Sequence, residues 1–246
     1  MCGRFILDSD IREIQRTFHI QLTETEVGPS YNVAPTQPVL AVLQRDGQRV
    51  LTAMRWGLIP VWAKDMRIGA KMINARAETI AEKPSFKRLL KSRRCLIVAD
   101  GFYEWHKDGA RKVPMFISVS PKHPFGFAGL YDTWTSPEGE SITSCAIITT
   151  GANDMMRSIH QRMPVILPKN AYRPWLDPAN QDLDKLSELL LPFAGKMQAY
   201  AVSPLVNSVG HNTPENIRPE PSADGASPRQ LSLPRSGTRV RASQAR

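Results

Sequence analysis

From Cys95 onward the chain alternates short apolar segments with turn signals, and this pattern favours an antiparallel sheet. CLIVADGFYEW and VPMFISVS flank HKDGARK, in which Asp108-Gly109 is a hairpin signal. FGFAGLYDTW and SCAIITT follow as further strands on either side of SPEGES. An earlier pair of strands is joined by the turn RDGQ. It consists of a strand at residues 39–43 and the segment RVLTAMRWGLIP. Strands joined by such short turns pair with their neighbours in antiparallel fashion.

Other segments have the apolar spacing of helices, and they predict elements around this sheet. In DSDIREIQRTF the residues Ile11, Ile14 and Phe18 share one helical face, and Asp10 with Glu13 resembles a capping box. Further helices are predicted in PSFKRLLKSRR, ANDMMRSIH, KNAYRPWL and DLDKLSELLLPF. We therefore expect one α+β domain over residues 1–220, with a curved antiparallel sheet or barrel-like core and peripheral helices.

The charge balance points to a polyanionic partner. The formal net charge is +9, and nucleic acid is the commonest partner of so basic a chain. Residues 221–246 are rich in Pro, Ser and Arg and nearly lack large apolar side chains, so we predict a disordered basic tail there. Most of the positive charge still belongs to the part of the chain before this tail.

Neither cysteine spacing nor hydropathy indicates a metal site, a disulfide framework or a membrane segment. The three cysteines form no CxxC pair and no zinc-type cluster with the five histidines. No apolar run approaches the roughly 20 residues of a membrane-spanning helix. The acidic residues Asp8 and Asp10 argue against a signal peptide. We therefore expect a cytoplasmic protein without cofactor or metal.

Cys2 has three interpretations. Small residues after the initiator permit methionine removal, which would leave Cys2 with a free α-amine of pKa about 7.7–8.0 beside its thiol. Such a 1,2-aminothiol captures an aldehyde as a Schiff base, which the sulfur closes into a thiazolidine ring. The same terminus can instead act as a nucleophile in amide hydrolysis, with the amine as its base. A second-position cysteine can also have no chemical role. For Cys95 and Cys145, in apolar strand contexts, burial in the core is expected.

Three further segments carry candidate functional side chains. In MINARAETI an extended backbone would place Asn74 and Arg76 on one wall, with Glu78 continuing it. In ADGFYEWHK, strand alternation would place Glu104 opposite its aromatic neighbours, where desolvation raises a carboxyl pKa. In SIHQRMP, His160 precedes Arg162 and is suited to proton transfer near pH 7. Each segment alone is also compatible with a structural role.

Taken together, these motifs resemble those of a known family. MCGRF, YNVAPTQ, RWGLIPVW, NARAET, RRCLIVADGFYEW, FAGLYDTW, IITTGAN, IHQRMPVIL and VSPLVN follow one another across residues 2–207. The series resembles the SRAP family, the SOS-response-associated peptidase-like proteins that shield abasic sites in single-stranded DNA. Only the chain after about residue 220 lies outside the resemblance.

The resemblance implies a function and a set of site residues. Cys2, exposed by methionine removal, would form a thiazolidine crosslink with the aldehyde of an abasic site, while Asn74 positions Cys2. Glu104 would assist proton movement, and His160 would promote sugar-ring opening, Schiff-base formation and reversal. Removal of Met1 by the protein itself and lyase-type strand cleavage are further implied activities. The DNA-binding residues would be Arg4, Arg76 and Arg162, which would bind phosphates, together with Pro35, Trp62 and Trp105.

The expected partner is single-stranded DNA with abasic sites, bound by a monomer close to the nucleoid and the replication machinery. Two alternatives remain at this point. Cys2 in an N-terminal-nucleophile amidohydrolase or peptidase would use the same terminus for acyl transfer. A non-covalent single-stranded-DNA binding module would make no chemical use of Cys2 at all.

Overall fold

The protein is described by a computed structural model over residues 2–25 and 28–221. Its strands are β1 (Phe5–Leu7), β2 (Leu22–Thr23), β3 (Ser30–Val33), β4 (Pro38–Arg45), β5 (Gln48–Trp56), β6 (Asn74–Arg76), β7 (Arg94–Ala99), β8 (Gly101–Asp108), β9 (Arg111–Val119), β10 (Phe125–Thr135), β11 (Ser141–Gly151), β12 (Arg162–Pro164) and β13 (Met197–Ala201). The helices are α1 (Ile11–Phe18), α2 (Pro84–Ser92), α3 (Asp154–Arg157), α4 (Tyr172–Leu176) and α5 (Leu183–Glu188).

Five strands form a closed ring, the barrel. Antiparallel pairs join β5 to β4, β4 to β7, β7 to β10 and β10 to β11. A short parallel pairing of β11 with β5, at Ser144↔Arg55 and Cys145↔Trp56, closes the ring. The second sheet has five strands in the order β13-β9-β8-β1-β3. The predicted α+β domain with a barrel-like antiparallel core and peripheral helices is confirmed.

Alternate residues of the barrel strands contribute to two separate apolar cores. In β7, Cys95 and Ile97 belong to the inter-sheet core, the buried cluster that contains side chains from both sheets. Leu96 and Val98 belong to the helix-side core, whose other members include side chains from α1, α2, α4 and α5. Because both faces of this strand are covered, its sequence is a continuous apolar run.

The predicted turns and the predicted N-cap of α1 are present. Asp46 and Gly47 have φ of 51° and 77° and connect β4 to β5, as a type I′ hairpin turn requires. Gly109, with φ 58°, lies between β8 and β9. The N-cap of α1 is Asp10, whose side chain accepts the Glu13 N–H at 2.9 Å.

One local prediction is wrong. The extended stretch ends at Arg76, because Ala77–Thr79 forms a 3-10 helix and Glu78 therefore does not continue the strand. Elsewhere, no helix in the described part of the chain is long and apolar enough to cross a membrane. The tail predicted at residues 221–246 lies, apart from residue 221, outside the described residues.

Candidate active site

Cys2 lies just before β1, which pairs on one side with β3 and on the other with β8. The β1–β8 register pairs Phe5 with Phe102. Continued two residues toward the amino terminus, this antiparallel register places Gly3 opposite Glu104. Cys2 is 0% exposed and belongs to the inter-sheet core. The fold therefore holds the second residue of the chain inside the protein, next to β8.

Asn74 begins β6, a short strand that pairs parallel with β11. Its side-chain Nδ2 donates to the backbone carbonyl of Cys2 at 2.8 Å. The other amide atom, Asn74 Oδ1, is buried and has no hydrogen-bond partner among the residues that the structure describes. A buried acceptor without a donor costs free energy. Asn74 thus fixes the backbone of Cys2 and keeps one acceptor available close to it.

The segment that leads to Asn74 is positioned by a close contact between two glycines. Gly57 has φ +125°, and a Cβ on it would lie 2.6 Å from the Gly69 carbonyl oxygen. A Cβ on Gly69 would lie 2.5 Å from the Gly57 oxygen. Gly69 is part of the 3-10 helix Met66–Lys71, which ends shortly before β6. Because the two backbones touch, neither position has room for a side chain.

Gly57→Ala should therefore lower the free energy of unfolding by roughly 3 kcal/mol, since the methyl group adds a clash to an unfavourable φ. Urea denaturation measures this change. Gly47→Ala is the matched control, because Gly47 also has positive φ (+77°) but a Cβ on it would meet no atom within 4 Å. That control should lose only about 1 kcal/mol. Equal losses in the two variants would contradict the importance of the glycine contact.

Glu104 is a buried carboxyl in β8, 3% exposed. Its neighbours Tyr103 and Trp105 contribute to a separate apolar cluster, while Phe102, two residues away, belongs to the inter-sheet core. The predicted alternation of Glu104 with its aromatic neighbours is therefore confirmed. Burial raises the pKa of Glu104, and positive charge on His160 acts in the opposite direction. A carboxyl with a raised pKa is suited to both accepting and donating a proton near neutral pH.

The ionisation of Cys2 is coupled to this carboxyl. Burial raises the pKa of the Cys2 thiol well above its ordinary value, and negative charge on Glu104 raises it further. At neutral pH the sulfur is consequently a thiol and not a thiolate. An attack by sulfur from this position requires a group that accepts its proton, and Glu104 is close enough to influence it electrostatically.

His160 follows α3 and is half-buried. Its Nδ1 accepts the backbone N–H of Arg162 at 3.0 Å and lies 3.1 Å from the Arg162 carbonyl oxygen. The ring orientation is therefore fixed by the backbone of β12, the strand that begins with Arg162.

The three predicted phosphate-binding arginines have different surroundings. Arg4 Nη1 donates to Asn32 Oδ1 at 2.6 Å and to the Val206 carbonyl at 2.7 Å, so this guanidinium ties β1 to neighbouring segments. Arg76 is exposed. Arg162 forms a two-pronged ion pair with Glu78 at 3.1 and 3.0 Å. The binding of phosphate by all three arginines stays a prediction.

The remaining predicted DNA-binding residues also divide by exposure. The Trp62 side chain is 63% exposed and Pro35 is half-buried. Trp105 is half-buried, its Nε1 donates to Asn207 Oδ1 at 2.8 Å, and the Arg4 guanidinium lies 5.9 Å from its ring centroid. Trp62 is thus open to solvent, whereas Trp105 is engaged with the protein.

Sequence reasoning missed two residues that shape this region. Thr149, fully buried in β11, accepts Arg162 Nη2 on its carbonyl at 2.7 Å and on its hydroxyl at 3.1 Å. Asn32, also buried, holds Arg4. Both are buried polar residues in strands that contain other polar side chains, SYNV for Asn32 and SITSCAIITTG for Thr149, so no local sequence signal distinguishes them. Within the described residues, no group of three or more His, Cys, Asp or Glu side chains could hold a metal ion.

Comparisons with known proteins agree on one family. The family model described as SOS response associated peptidase (SRAP) matches residues 1–209. The abasic site processing protein YoqW of Bacillus subtilis (strain 168) is 52% identical over 221 residues, 88% of this chain and 99% of that protein. The abasic site processing protein HMCES of Gallus gallus is 37% identical over 230 residues, 80% of this chain and 68% of that protein. A crystal structure of a protein from Bacteroides thetaiotaomicron has a TM-score of 0.77 at 29% identity, over 84% of this chain and 95% of that one. The chain therefore belongs to the SRAP family, as its motifs predicted.

Proposed function

We propose that this protein processes abasic sites in single-stranded DNA and captures them covalently through Cys2 after removal of Met1. The observation that carries the proposal is the setting of Cys2: its carbonyl is bound by Asn74 at 2.8 Å, and Glu104 is its ionisable neighbour inside the protein. The names of the relatives YoqW and HMCES, both abasic site processing proteins, support the substrate class.

The α-amine of Cys2 reacts first in this mechanism. Its pKa is about 7.7–8.0 in an ordinary terminus, so part of it is unprotonated at neutral pH, whereas the buried thiol stays protonated. Asn74 Oδ1 provides an acceptor for an N–H of this amine. Nitrogen attacks the aldehyde carbon of the open-chain sugar, and the carbonyl oxygen takes up a proton. Loss of water from the resulting carbinolamine gives the imine.

The thiol then closes the ring. Sulfur adds to the imine carbon, and its proton passes to the nitrogen with Glu104 as the carrier. One C–N and one C–S bond have formed, and the aldehyde oxygen has left as water. The product is a thiazolidine that links Cys2 to the sugar. His160 acts earlier, as the proton donor and acceptor for ring opening of the sugar and for imine formation.

DNA affinity in this proposal comes from positive charge and from ring stacking. Single strands bind proteins through basic grooves and aromatic platforms with little sequence preference. Arg76 and Trp62, both exposed, are suited to these two kinds of contact. Affinity for intact single strands should consequently fall as salt concentration rises.

The direct test is a denaturing gel of the purified protein with abasic single-stranded DNA and with an intact oligonucleotide of the same sequence. Mass spectrometry first establishes that Met1 is absent. A heat-stable adduct with the abasic strand alone supports the proposal. Absence of an adduct in Met1-free protein contradicts it and directs attention to amide hydrolysis or to non-covalent binding. Short DNA products on the same gel would reveal lyase-type cleavage.

His160→Ala should slow adduct formation roughly 100-fold, at the low end of what general acid–base catalysis contributes. Reversal should slow as well, because the same proton transfers occur in both directions. Stopped time courses on denaturing gels measure both rates, and fluorescence anisotropy with intact single strands measures affinity. His123→Ala, at a histidine in the connection between β9 and β10, serves as the control. An unchanged rate in His160→Ala would remove the assigned role.

A further inference from the structure

Glu78 and Arg162 form a two-pronged ion pair, and arginine binds phosphate in the same two-pronged geometry. Both terminal nitrogens of Arg162 donate, Nη1 to Glu78 Oε1 at 3.1 Å and Nη2 to Glu78 Oε2 at 3.0 Å. The planar guanidinium presents the same fork to a carboxylate and to two oxygens of a phosphate. The carboxylate of Glu78 therefore occupies the edge of Arg162 that a phosphodiester would need.

The guanidinium of Arg162 is also held in place by Thr149. Arg162 Nη2 donates to the carbonyl and to the hydroxyl of Thr149, and the Arg162 side chain is only 19% exposed. The backbone N–H of Arg162 binds His160 Nδ1, so this arginine is next to the candidate active site. Its orientation is consequently set by β11 and β12, whether or not Glu78 stays in contact.

Glu78, in contrast, is able to move away. Its side chain is 50% exposed and extends from the three-residue 3-10 helix Ala77–Thr79. Partial burial would raise the pKa of Glu78, but the hydrogen bonds from Arg162 and the charges of Arg162 and Arg76 outweigh that effect and lower it. Glu78 is thus an ionised carboxylate near two arginines, and a rotation of its own side chain is enough to release Arg162.

We propose that Glu78 is a counter-ion that a phosphate of single-stranded DNA displaces from Arg162 on binding. This inference rests on the proposed function, since it requires that the protein binds DNA. Without DNA, Glu78 compensates a charge that is largely removed from solvent. When DNA binds, the phosphodiester takes over the fork and Glu78 turns to solvent, so Glu78 sets how tightly any single strand is held.

Removal of the competing carboxylate should strengthen binding. Glu78→Gln should bind a fluorescein-labelled intact oligothymidine about fivefold more tightly, the equivalent of one lost surface ion pair. Glu82→Gln is the matched control, because Glu82 is an exposed glutamate four residues further along the chain. It removes the same formal charge without altering the fork. Fluorescence anisotropy at several salt concentrations measures both affinities.

A second comparison tests whether the effect of Glu78 depends on Arg162. The gain from Glu78→Gln should disappear in an Arg162→Gln background, since no fork is then left for the phosphate to occupy. If Glu78→Gln failed to fold, Glu78→Asp against Glu82→Asp would give the same comparison. The shorter aspartate keeps the negative charge but does not extend far enough to pair with both terminal nitrogens of Arg162.

The outcomes separate the inference from the function on which it rests. Displacement is supported if Glu78→Gln binds the oligonucleotide more tightly than wild type and Glu82→Gln do, and if this gain disappears when Arg162 is replaced. Binding by Glu78→Gln equal to that of Glu82→Gln, or weaker than that of wild type, overturns it. In that case an adduct of wild-type protein with abasic DNA would still sustain the proposed function. A wild-type protein that neither binds single strands nor forms an adduct would overturn both.

Discussion

Cys2→Ala protein should form no heat-stable adduct with abasic single-stranded DNA, whereas wild type should convert the strand to a shifted band. The variant retains an α-amine and should therefore still form the imine, but it has no sulfur to close the ring. Borohydride should consequently trap a reduced adduct in the variant, and the adduct should be absent without the reductant. Denaturing gels with and without borohydride separate the two chemical steps.

Cys95→Ala and Cys145→Ala provide the controls for this prediction. Both cysteines are, like Cys2, fully buried members of the inter-sheet core, and both lie outside the proposed chemistry. Each variant should lose some stability through the cavity it creates and should still form the adduct. A chain with a blocked amino terminus should form none, although its thiol is intact. A heat-stable adduct of Cys2→Ala without reductant would rule out the thiazolidine.

Glu104→Gln should reduce the rate of adduct formation by about 10³-fold, within the range expected for loss of a general acid–base group. The glutamine has nearly the same shape but carries no proton between sulfur and nitrogen. The pH dependence that Glu104 imposes on the wild-type rate should be lost as well. Rates measured between pH 5 and 9 test both effects, and Glu138→Gln on an exposed loop is the charge-matched control.

The same substitution should increase stability at neutral pH. Because the pKa of Glu104 is raised in the folded protein, its contribution to stability is fully present below the unfolded pKa. That contribution is lost as pH rises through the pKa of Glu104 in the folded protein. A glutamine at this position does not ionise, so the stability of the variant does not fall in this way. Thermal unfolding at pH 4, below the pKa of an unfolded glutamate, and at pH 8 tests this. The stability of wild type should approach that of the variant at pH 4 and fall below it at pH 8. A variant less stable than wild type at pH 8 would contradict a proton-transfer role based on desolvation.

Local sequence signals predicted the hairpins, the N-cap of α1 and the face on which Glu104 lies. These features depend on neighbouring residues: Asp46-Gly47 determines its turn, and alternation along β8 separates Glu104 from Tyr103. The contact between Asn74 and Cys2 spans 72 residues and follows from the parallel pairing of β6 with β11. The family resemblance, and not any local pattern, brought these two residues together in the prediction.

Other features were beyond sequence reasoning because they depend on long-range packing. The parallel contact of β5 with β11 that closes the barrel has no turn signal. Arg94 is only 3% exposed, and so deeply buried a position is usually occupied by an apolar residue. It is accommodated because its guanidinium donates to backbone carbonyls that include those of Leu90 and Trp175. The partners of Arg4 and Arg162 were hidden for the same reason.

The burial of Cys2 has a consequence for the lifetime of any adduct formed there. Hydrolysis of such a linkage needs water at the linked carbon, and the inter-sheet core around Cys2 is packed with side chains from both sheets. In the proposed reaction the abasic sugar enters this site and, once linked to Cys2, occupies the space through which it entered. Water then reaches the linked carbon only when the structure opens locally. The persistence of the adduct would then be a kinetic property of the fold, so substitutions far from Cys2 that accelerate local opening should shorten its half-life without altering its chemistry.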